Sequence, residues 1–353
     1  MTVTPSFTVG DHRIFDIRQD IEDVQLRNDI VDGLSTYPAS LPSSLLWTAP
    51  GLKLFDRFSQ TPSYYPFHSE MEILQRSAAE IAAAVPAGGA LIELGCGTIR
   101  KTKLILSAFE QQKKPIHYYA LDISREGLTD SIGGLSRATH GSPYVHITGL
   151  WGTYEDGVSW LARPDSFKEA TSGVISSVVF LWLGNSIANF PHFPEASAFL
   201  ACCRRACELS QRSCQFLLST DICQNPGLIN DAYSLAKPEY RAFLRQGLTA
   251  ANRAMGRLTF DLADWECGSA YNADEYRLDF FYTPRRDLDV VTDDGPPQIF
   301  QKGDRVQIVS SGKWPEQVVE QLCIRAGFHV QQRWKDGLDA YCFFSAVSFP
   351  SVT

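Results

Sequence analysis

The segment Leu91-Ile92-Glu93-Leu94-Gly95-Cys96-Gly97-Thr98, followed by Tyr118-Tyr119-Ala120-Leu121-Asp122, constrains this chain more than any other feature. An apolar run stops at two closely spaced glycines, a helix-forming stretch follows, and a second apolar run ends in an acid. That order reads as strand, glycine turn, helix, strand and strand-tip carboxylate, half of a nucleotide-type αβ site. The glycines let backbone N–H groups approach a ligand closely, and the Asp122 carboxylate can hold two ribose hydroxyls. The third glycine of a dinucleotide fingerprint is missing, and Arg100 stands in its place. A pyrophosphate needs close helix approach there, which a side chain as large as Arg disfavours. An adenosyl ligand without phosphates fits better, and the pattern points to S-adenosylmethionine. The plainer alternative is a glycine turn in an α/β enzyme with no cofactor.

The surrounding pattern extends this unit into a sheet. Glu70–Val85 reads as a helix with Met71, Leu74, Ala78, Ile81 and Ala82 at helical spacing, ended by Pro86-Ala87-Gly88-Gly89. Strands are expected at Ala90–Leu94, Ile116–Leu121, Val145–Leu150, Val174–Leu183 and Gln215–Thr220. Helices are expected at Lys101–Gln111 and Phe193–Cys207. Such alternation predicts an α/β fold with a mostly parallel sheet. It then stops. Leu228–Arg257 looks mainly helical, Tyr276–Tyr282 and Arg305–Ser310 look like strands, and Asp287–Pro297 is a Pro/Asp/Gly loop. Helix Glu316–Ala326 and a hairpin of His329–Lys335 with Ala340–Val347 return to the sheet. Residues 72–222 with 316–353 are therefore expected to form a Rossmann-like cofactor domain. Residues 1–71, turn-rich with an amphipathic piece at Ile21–Leu34, join 223–315 as a smaller α+β substrate domain.

With 353 residues, 44% of them hydrophobic, the chain can bury a large core. A net charge of −8 and a pI near 5.4, without a strong basic cluster, disfavour nucleic acid or an anionic membrane surface as partner. Met1–Asp20 lacks a signal-peptide core, and the most apolar run, Val174–Gly184, is too short to span a bilayer. A cytoplasmic protein is expected, with a small-molecule substrate and no membrane partner; oligomeric state is left open. The nine cysteines show no CxxC pair, so no metal is expected and free, mostly buried thiols are the better reading.

Further motifs join the glycine turn in a set order: Leu54-Phe55-Asp56, Tyr64-Tyr65-Pro66, Lys101, Gly152-Thr153-Tyr154-Glu155-Asp156-Gly157, Leu183-Gly184-Asn185-Ser186-Ile187-Ala188-Asn189-Phe190, Asp231-Ala232-Tyr233 and Ser311-Gly312-Lys313-Trp314. With them the chain resembles, from Phe15 to Val347, the amino-acid α-N-methyltransferases typified by the histidine methyltransferase of ergothioneine biosynthesis. Fungal relatives in that family methylate tryptophan or 4-dimethylallyltryptophan. The resemblance implies a class I methyltransferase sheet with a second substrate domain. It implies that Gly95, Gly97 and Lys101 line the methionine end of S-adenosylmethionine, that Asp122, expected on a loop at the sheet edge, holds the ribose, and that Thr153 and Tyr154 meet the adenine. Asn189 and Tyr233 would grip the substrate carboxylate, Tyr64 would touch the side chain, and Phe280 and Ser311 would line the same site.

Two departures bear on specificity. Histidine-using members place a Glu four residues before the Lys of the Ser-x-Lys motif, and here that position is Val309. A Val beside an imidazole would leave a buried N–H unpaired, costing about 1–3 kcal/mol. An indole would gain from the apolar wall. Trp47 stands where bacterial relatives carry a Tyr near the substrate amine. Methyl transfer needs mainly alignment and desolvation of a neutral amine, so no catalytic triad or carboxylate pair is required. The amine's proton can leave to solvent or through a hydroxyl such as that of Ser311. Histidine trimethylation is the alternative within this chemistry. A non-catalytic regulator and a nicotinamide oxidoreductase are alternatives outside it, disfavoured by the intact Gly95, Gly97 and Asp122 and by Arg100 respectively.

Overall fold

The computed structural model describes residues 4–19, 22–139, 141–168, 171, 173–190, 192–292 and 297–349. In chain order the elements begin with β1 (Ser6–Val9) and β2 (His12–Asp16), then helix α1 (Glu22–Leu34), the short strand β3 (Ala39–Ser40) and α2 (Ala49–Ser59). Helix α3 (Tyr65–Ala83) leads into β4 (Ala90–Leu94), α4 (Arg100–Gln111), β5 (Ile116–Asp122) and α5 (Arg125–Ala138). Next come β6 (Val145–Trp151), α6 (Tyr154–Leu161), β7 (Ser177–Trp182), α7 (Phe193–Leu209) and β8 (Ser213–Asp221). The alternation breaks at α8 (Pro226–Ala232) and α9 (Pro238–Met255), each opened by a proline, whose missing N–H is not needed in a first turn. Strands β9 (Trp265–Asn272), β10 (Arg277–Pro284), β11 (Leu288–Val290), β12 (Gln298–Phe300) and β13 (Val306–Gly312) follow. Helix α10 (Glu316–Arg325), β14 (Phe328–Lys335) and β15 (Tyr341–Ser348) complete the order.

The molecule divides into two compact units, one of Met1–Gln19, Pro66–Cys223 and Lys313–Thr353, the other of Asp20–Tyr65 and Gln224–Gly312. The first is built on a nine-stranded sheet ordered β1-β2-β6-β5-β4-β7-β8-β15-β14. Pairing is parallel from β2 through β8 and antiparallel at both margins. Both faces are covered, which is why its strands read as continuous apolar runs. Leu91, Tyr118, Val179, Leu181 and Phe343 share a core with Ile73, Leu74 and Ile81 of α3, Ile105 and Phe109 of α4, and Leu128 and Ile132 of α5. The alternate positions form an aromatic layer: Tyr119 lies 5.1 Å from Phe167, Phe180 stacks on Phe216 at 4.8 Å, and Trp182 lies 5.2 Å from Phe199 of α7. This is the Rossmann-like class I architecture.

Three sequence expectations change here. The N-terminal hairpin β1–β2 belongs to the large sheet, because β2 pairs with β6 in register, Ile14 opposite Gly149; only Asp20–Tyr65 of the expected 1–71 segment joins the second unit. Helix α3 starts at Tyr65, five residues before the expected Glu70, with Pro66 in its first turn, and its buried stripe runs through Ile73 where Met71 was expected. The strand expected from Val174 begins at Ser177, where the ladder to Ser213 of β8 starts, and Val174 is exposed. In the expected amphipathic piece Ile21–Leu34, and in the loop Asp287–Pro297, residue 21 and residues 293–296 lie outside the described residues.

The second unit carries a four-stranded sheet ordered β3-β13-β10-β9, with β10 antiparallel to both neighbours and a register shift against β13 at Phe280/Phe281. One face of β10 is apolar: Leu278, Phe280 and Tyr282 are buried, and Tyr282 Oη donates to the Leu244 carbonyl of α9 at 2.6 Å. The opposite face carries polar pairs next to the buried Phe281, with Ser310 Oγ donating to Asp279 Oδ1 at 2.7 Å and Arg277 paired to the same carboxylate at 2.8 Å. The alternation matches the period of two that a sheet with one covered face requires. Among the described residues no helix is long and apolar enough to cross a membrane, and no group of three or more His, Cys, Asp or Glu side chains is placed to hold a metal. All nine cysteines are free thiols, and seven are buried.

Candidate active site

Strands β5 and β6 lie on one side of β4, while β7 and β8 lie on the other. The chain therefore reverses its direction of winding beside β4, and open α/β sheets bind ligands in the crevice at the strand ends of such a point. The loop leaving β4 is held tightly there. Gly95 and Cys96 donate their N–H groups to the Leu121 carbonyl at 3.0 and 3.1 Å, and Gly97 N donates to Asp122 Oδ2 at 3.1 Å. Gly95 and Gly97 have φ of +70° and +46°, the left-handed region that side chains resist. A Cβ at Gly95 would also stand 2.9 Å from Tyr154 Oη, whereas one at Gly97 would meet only the Gly95 carbonyl oxygen, at 3.9 Å.

Asp122 differs from expectation. It ends an interior strand, not an edge loop, and is 7% exposed. Its carboxylate accepts from Gly97 N and from Ser124 N at 2.9 Å, so it organises the glycine loop as well as facing it. Burial raises its pKa, and the backbone hydrogen bonds from Ser124 and Gly97 oppose that shift. Beneath the loop, Glu93 is fully enclosed and accepts from Tyr118 Oη at 2.5 Å and from Thr102 Oγ1 at 2.9 Å. Loss of solvent pushes its pKa up to about 8, against the pull of those two donors.

Thr153 caps helix α6. Its Oγ1 accepts from Asp156 N at 3.1 Å while Asp156 Oδ2 accepts from Thr153 N at 2.9 Å, a reciprocal capping box that fixes the start of the helix. Tyr154 follows, its ring edge-on to Trp182 at 5.4 Å and its hydroxyl against Gly95. Lys101, the second residue of α4, ion-pairs at 2.5 Å with the buried Glu70. Asn189 ends a short 3-10 turn, Ser186–Asn189, entered through Gly184 and Asn185 at φ +74° and +61°. Asp122 at the tip of β5, and Gly95, Gly97, Lys101, Thr153, Tyr154 and Asn189 in the loops or short turns that follow, thus all sit at or beyond the carboxyl ends of β4 to β7.

The remaining predicted residues lie in the second unit, where four meet in one aromatic cluster. Tyr64 and Tyr233 are 5.2 Å apart with hydroxyls at 3.4 Å, and Phe280 lies 5.7 Å from Tyr233. Trp47 lies 5.3 Å from Phe55, which in turn is 6.1 Å from Tyr64. Tyr64, Tyr233 and Phe280 are buried, while Trp47 is half-buried. Val309 stands directly opposite Phe280 in the β10–β13 ladder, and Ser311 stands opposite Leu278, so both share the apolar face.

Sequence reasoning passed over several buried polar groups. Glu70 falls on the apolar stripe of α3 with Ile73, Leu74 and Ser77, and a carboxylate on that stripe was the available signal. Asp221 and Lys313 form an ion pair at 2.9 Å with both side chains fully buried, and Asn185 Oδ1 accepts from Asp221 N at 2.9 Å. Lys313 lies in the Ser311-Gly312-Lys313-Trp314 motif, and its partner Asp221 is 92 residues away in sequence.

The donor set suits a zwitterionic adenosyl amino acid. Asp122 offers a ribose acceptor, Lys101 offers a cation for a carboxylate, and the glycine loop supplies close backbone. Together with the doubly covered parallel sheet, this defines a class I S-adenosylmethionine-dependent methyltransferase. The chain belongs to the family of histidine-specific, S-adenosylmethionine-dependent methyltransferases, whose profile matches residues 26–347. It is similar to the N-methyltransferase benX of Aspergillus terreus, with 40% identity over 94% of this chain and 91% of that one. Ergothioneine biosynthesis protein 1 of Neurospora crassa is 32% identical over 92% of this chain and 35% of its own length. The 4-dimethylallyltryptophan N-methyltransferase easF of Epichloe festucae var. lolii is 30% identical over 92% and 95%. This protein is an S-adenosylmethionine-dependent N-methyltransferase.

Proposed function

We propose that the enzyme methylates the α-amine of an aromatic L-amino acid, tryptophan or 4-dimethylallyltryptophan, as in fungal indole alkaloid metabolism. Val309 carries this reading, because it faces the same side of the sheet as Phe280 and supplies no hydrogen-bond acceptor for an imidazole. An indole lies well against such a wall, whereas a buried imidazole N–H without a partner costs about 1–3 kcal/mol. A relative named for 4-dimethylallyltryptophan supports the same reading. Histidine is the second reading, favoured by the family's description and by the ergothioneine relative.

When bound, S-adenosylmethionine supplies a methyl group on a sulfonium that is already a good leaving group. The protein's share is to bind, orient and dehydrate. In this assignment Gly95, Gly97 and Lys101 hold the amino-acid end of the cofactor, Asp122 accepts from the ribose hydroxyls, and Thr153 fixes Tyr154 beside the loop. Asn189 and Tyr233 donate to the substrate carboxylate, while Trp47, Tyr64, Phe280 and Val309 receive the ring, and Ser311 lies within their face.

A competition assay with tryptophan, 4-dimethylallyltryptophan and histidine at equal concentrations tests the proposal. The wild type is expected to give methylated indoles, and Val309→Glu is expected to lower indole turnover at least tenfold while raising the histidine share. The indole loss follows from burying a carboxylate against an apolar ring. Histidine as the main wild-type product would overturn the substrate assignment, and an unchanged product ratio in Val309→Glu would remove Val309 from the site.

A further inference from the structure

Lys101 occupies the first turn of α4, where the aligned peptide dipoles disfavour a cation, and that turn holds no acidic residue to compensate. Its compensation comes from another helix. Glu70 of α3 is fully buried, and each of its carboxylate oxygens is engaged: Oε2 meets Lys101 Nζ at 2.5 Å, while Oε1 accepts from Gly184 N at 2.9 Å and from Ser219 Oγ at 2.5 Å. The Lys101 side chain is not fully buried with it, keeping 18% exposure. Gly184 lies beside the ammonium, since a Cβ there would touch Lys101 Nζ at 3.4 Å, and its φ of +74° favours glycine. Gly184 also opens the turn that carries Asn189.

We propose that Glu70 is a positioning residue for methyl transfer: one buried carboxylate fixes the Lys101 ammonium for the carboxylate of the cofactor's methionine portion, and the same group ties that cation to the Gly184–Asn189 turn. This rests on the assignment of Lys101 made above. A carboxylate with three donors is held in one orientation, and it restricts a long flexible lysine to one position without cancelling the cation's reach. Glu70 touches neither cofactor nor substrate and acts only through its partners.

The test compares two probes, S-adenosylhomocysteine, which carries the amino-acid end, and 5′-methylthioadenosine, which lacks it. In calorimetry Glu70→Gln, which can still accept from Gly184 and Ser219 but offers Lys101 an amide, is expected to weaken S-adenosylhomocysteine about tenfold and leave 5′-methylthioadenosine within twofold. Glu70→Asp, which keeps the charge but withdraws it by one methylene, is expected to give the same selective loss and serves if the Gln variant folds poorly. Lys101→Met should show the selective loss too, and adding Glu70→Gln to it should weaken S-adenosylhomocysteine no further. Equal weakening of both probes in the Glu70 variants would mean a purely structural carboxylate and overturn the proposal. Selective loss in Lys101→Met with none in the Glu70 variants would also overturn it while sparing the Lys101 assignment. Unchanged S-adenosylhomocysteine affinity in Lys101→Met would overturn that assignment itself.

Discussion

Two buried carboxylates stand under the glycine loop, and the fold makes both harder to ionise. Glu93 rises from an ordinary 4.5 to about 8 through loss of solvent, and Asp122 shifts in the same direction for the same reason. A raised carboxyl pKa stabilises the fold fully below the unfolded value and loses that contribution as pH climbs through the folded one. For Glu93 the window is therefore pH 4.5 to 8. Denaturant unfolding of the ligand-free wild type should lose stability across it, and Glu93→Gln should remove on the order of a few kcal/mol of that slope. A slope unaffected by Glu93→Gln would contradict this. At Asp122 the informative substitution is Asn, because Ala would strip the Gly97 and Ser124 N–H groups of their acceptor. Asp122→Asn should weaken S-adenosylhomocysteine roughly 10- to 100-fold, about 1.4–3 kcal/mol, measured by calorimetry on a folded variant. Asp122 was legible in the sequence because it ends an apolar run after a glycine turn. For Glu70 only its place on an apolar stripe was legible, because its partners Lys101, Gly184 and Ser219 come from distant parts of the chain and only the fold brings them to one carboxylate.

Elements with a continuous apolar run were readable to within a few residues, as β4 and β5 show. Strand β9 was not, since its face alternates weakly around exposed Ser269 and half-buried Tyr271 and it exists by pairing with β10. The β1–β2 hairpin was missed for a related reason. Its apolar content is slight, and what places it is the edge of β6, which it covers. An open edge of that kind invites pairing with other chains, so the hairpin both completes the sheet and shields it. Gly149 permits this approach, because a Cβ there would meet Ile14 Cγ1 at 2.8 Å. Gly149→Val should accordingly destabilise the protein by about 1–3 kcal/mol through overpacking and promote aggregation, read from denaturant midpoints and light scattering. A variant as stable as wild type would mean that the hairpin shifts aside without loss.

At the scale of the whole molecule, the loss of βα alternation after Asp221 was enough to foresee a second unit, because a parallel sheet cannot continue without crossover helices. Its exact membership was hidden, since Pro66 and Lys313 mark boundaries that only tertiary pairing defines. The buried Lys313–Asp221 pair sits where the chain re-enters the first unit, and removing one partner of such a pair costs about 3–5 kcal/mol. That re-entry has a consequence for the order of synthesis. Strand β8 waits for β15 as its neighbour, and residues 222–340 are made between them. At about 5–20 residues per second, the edge of β8 stays open on the ribosome for on the order of ten seconds. Every residue of the second unit emerges before that edge can close, so the unit made of the later insertion is free to fold while the earlier one is still incomplete.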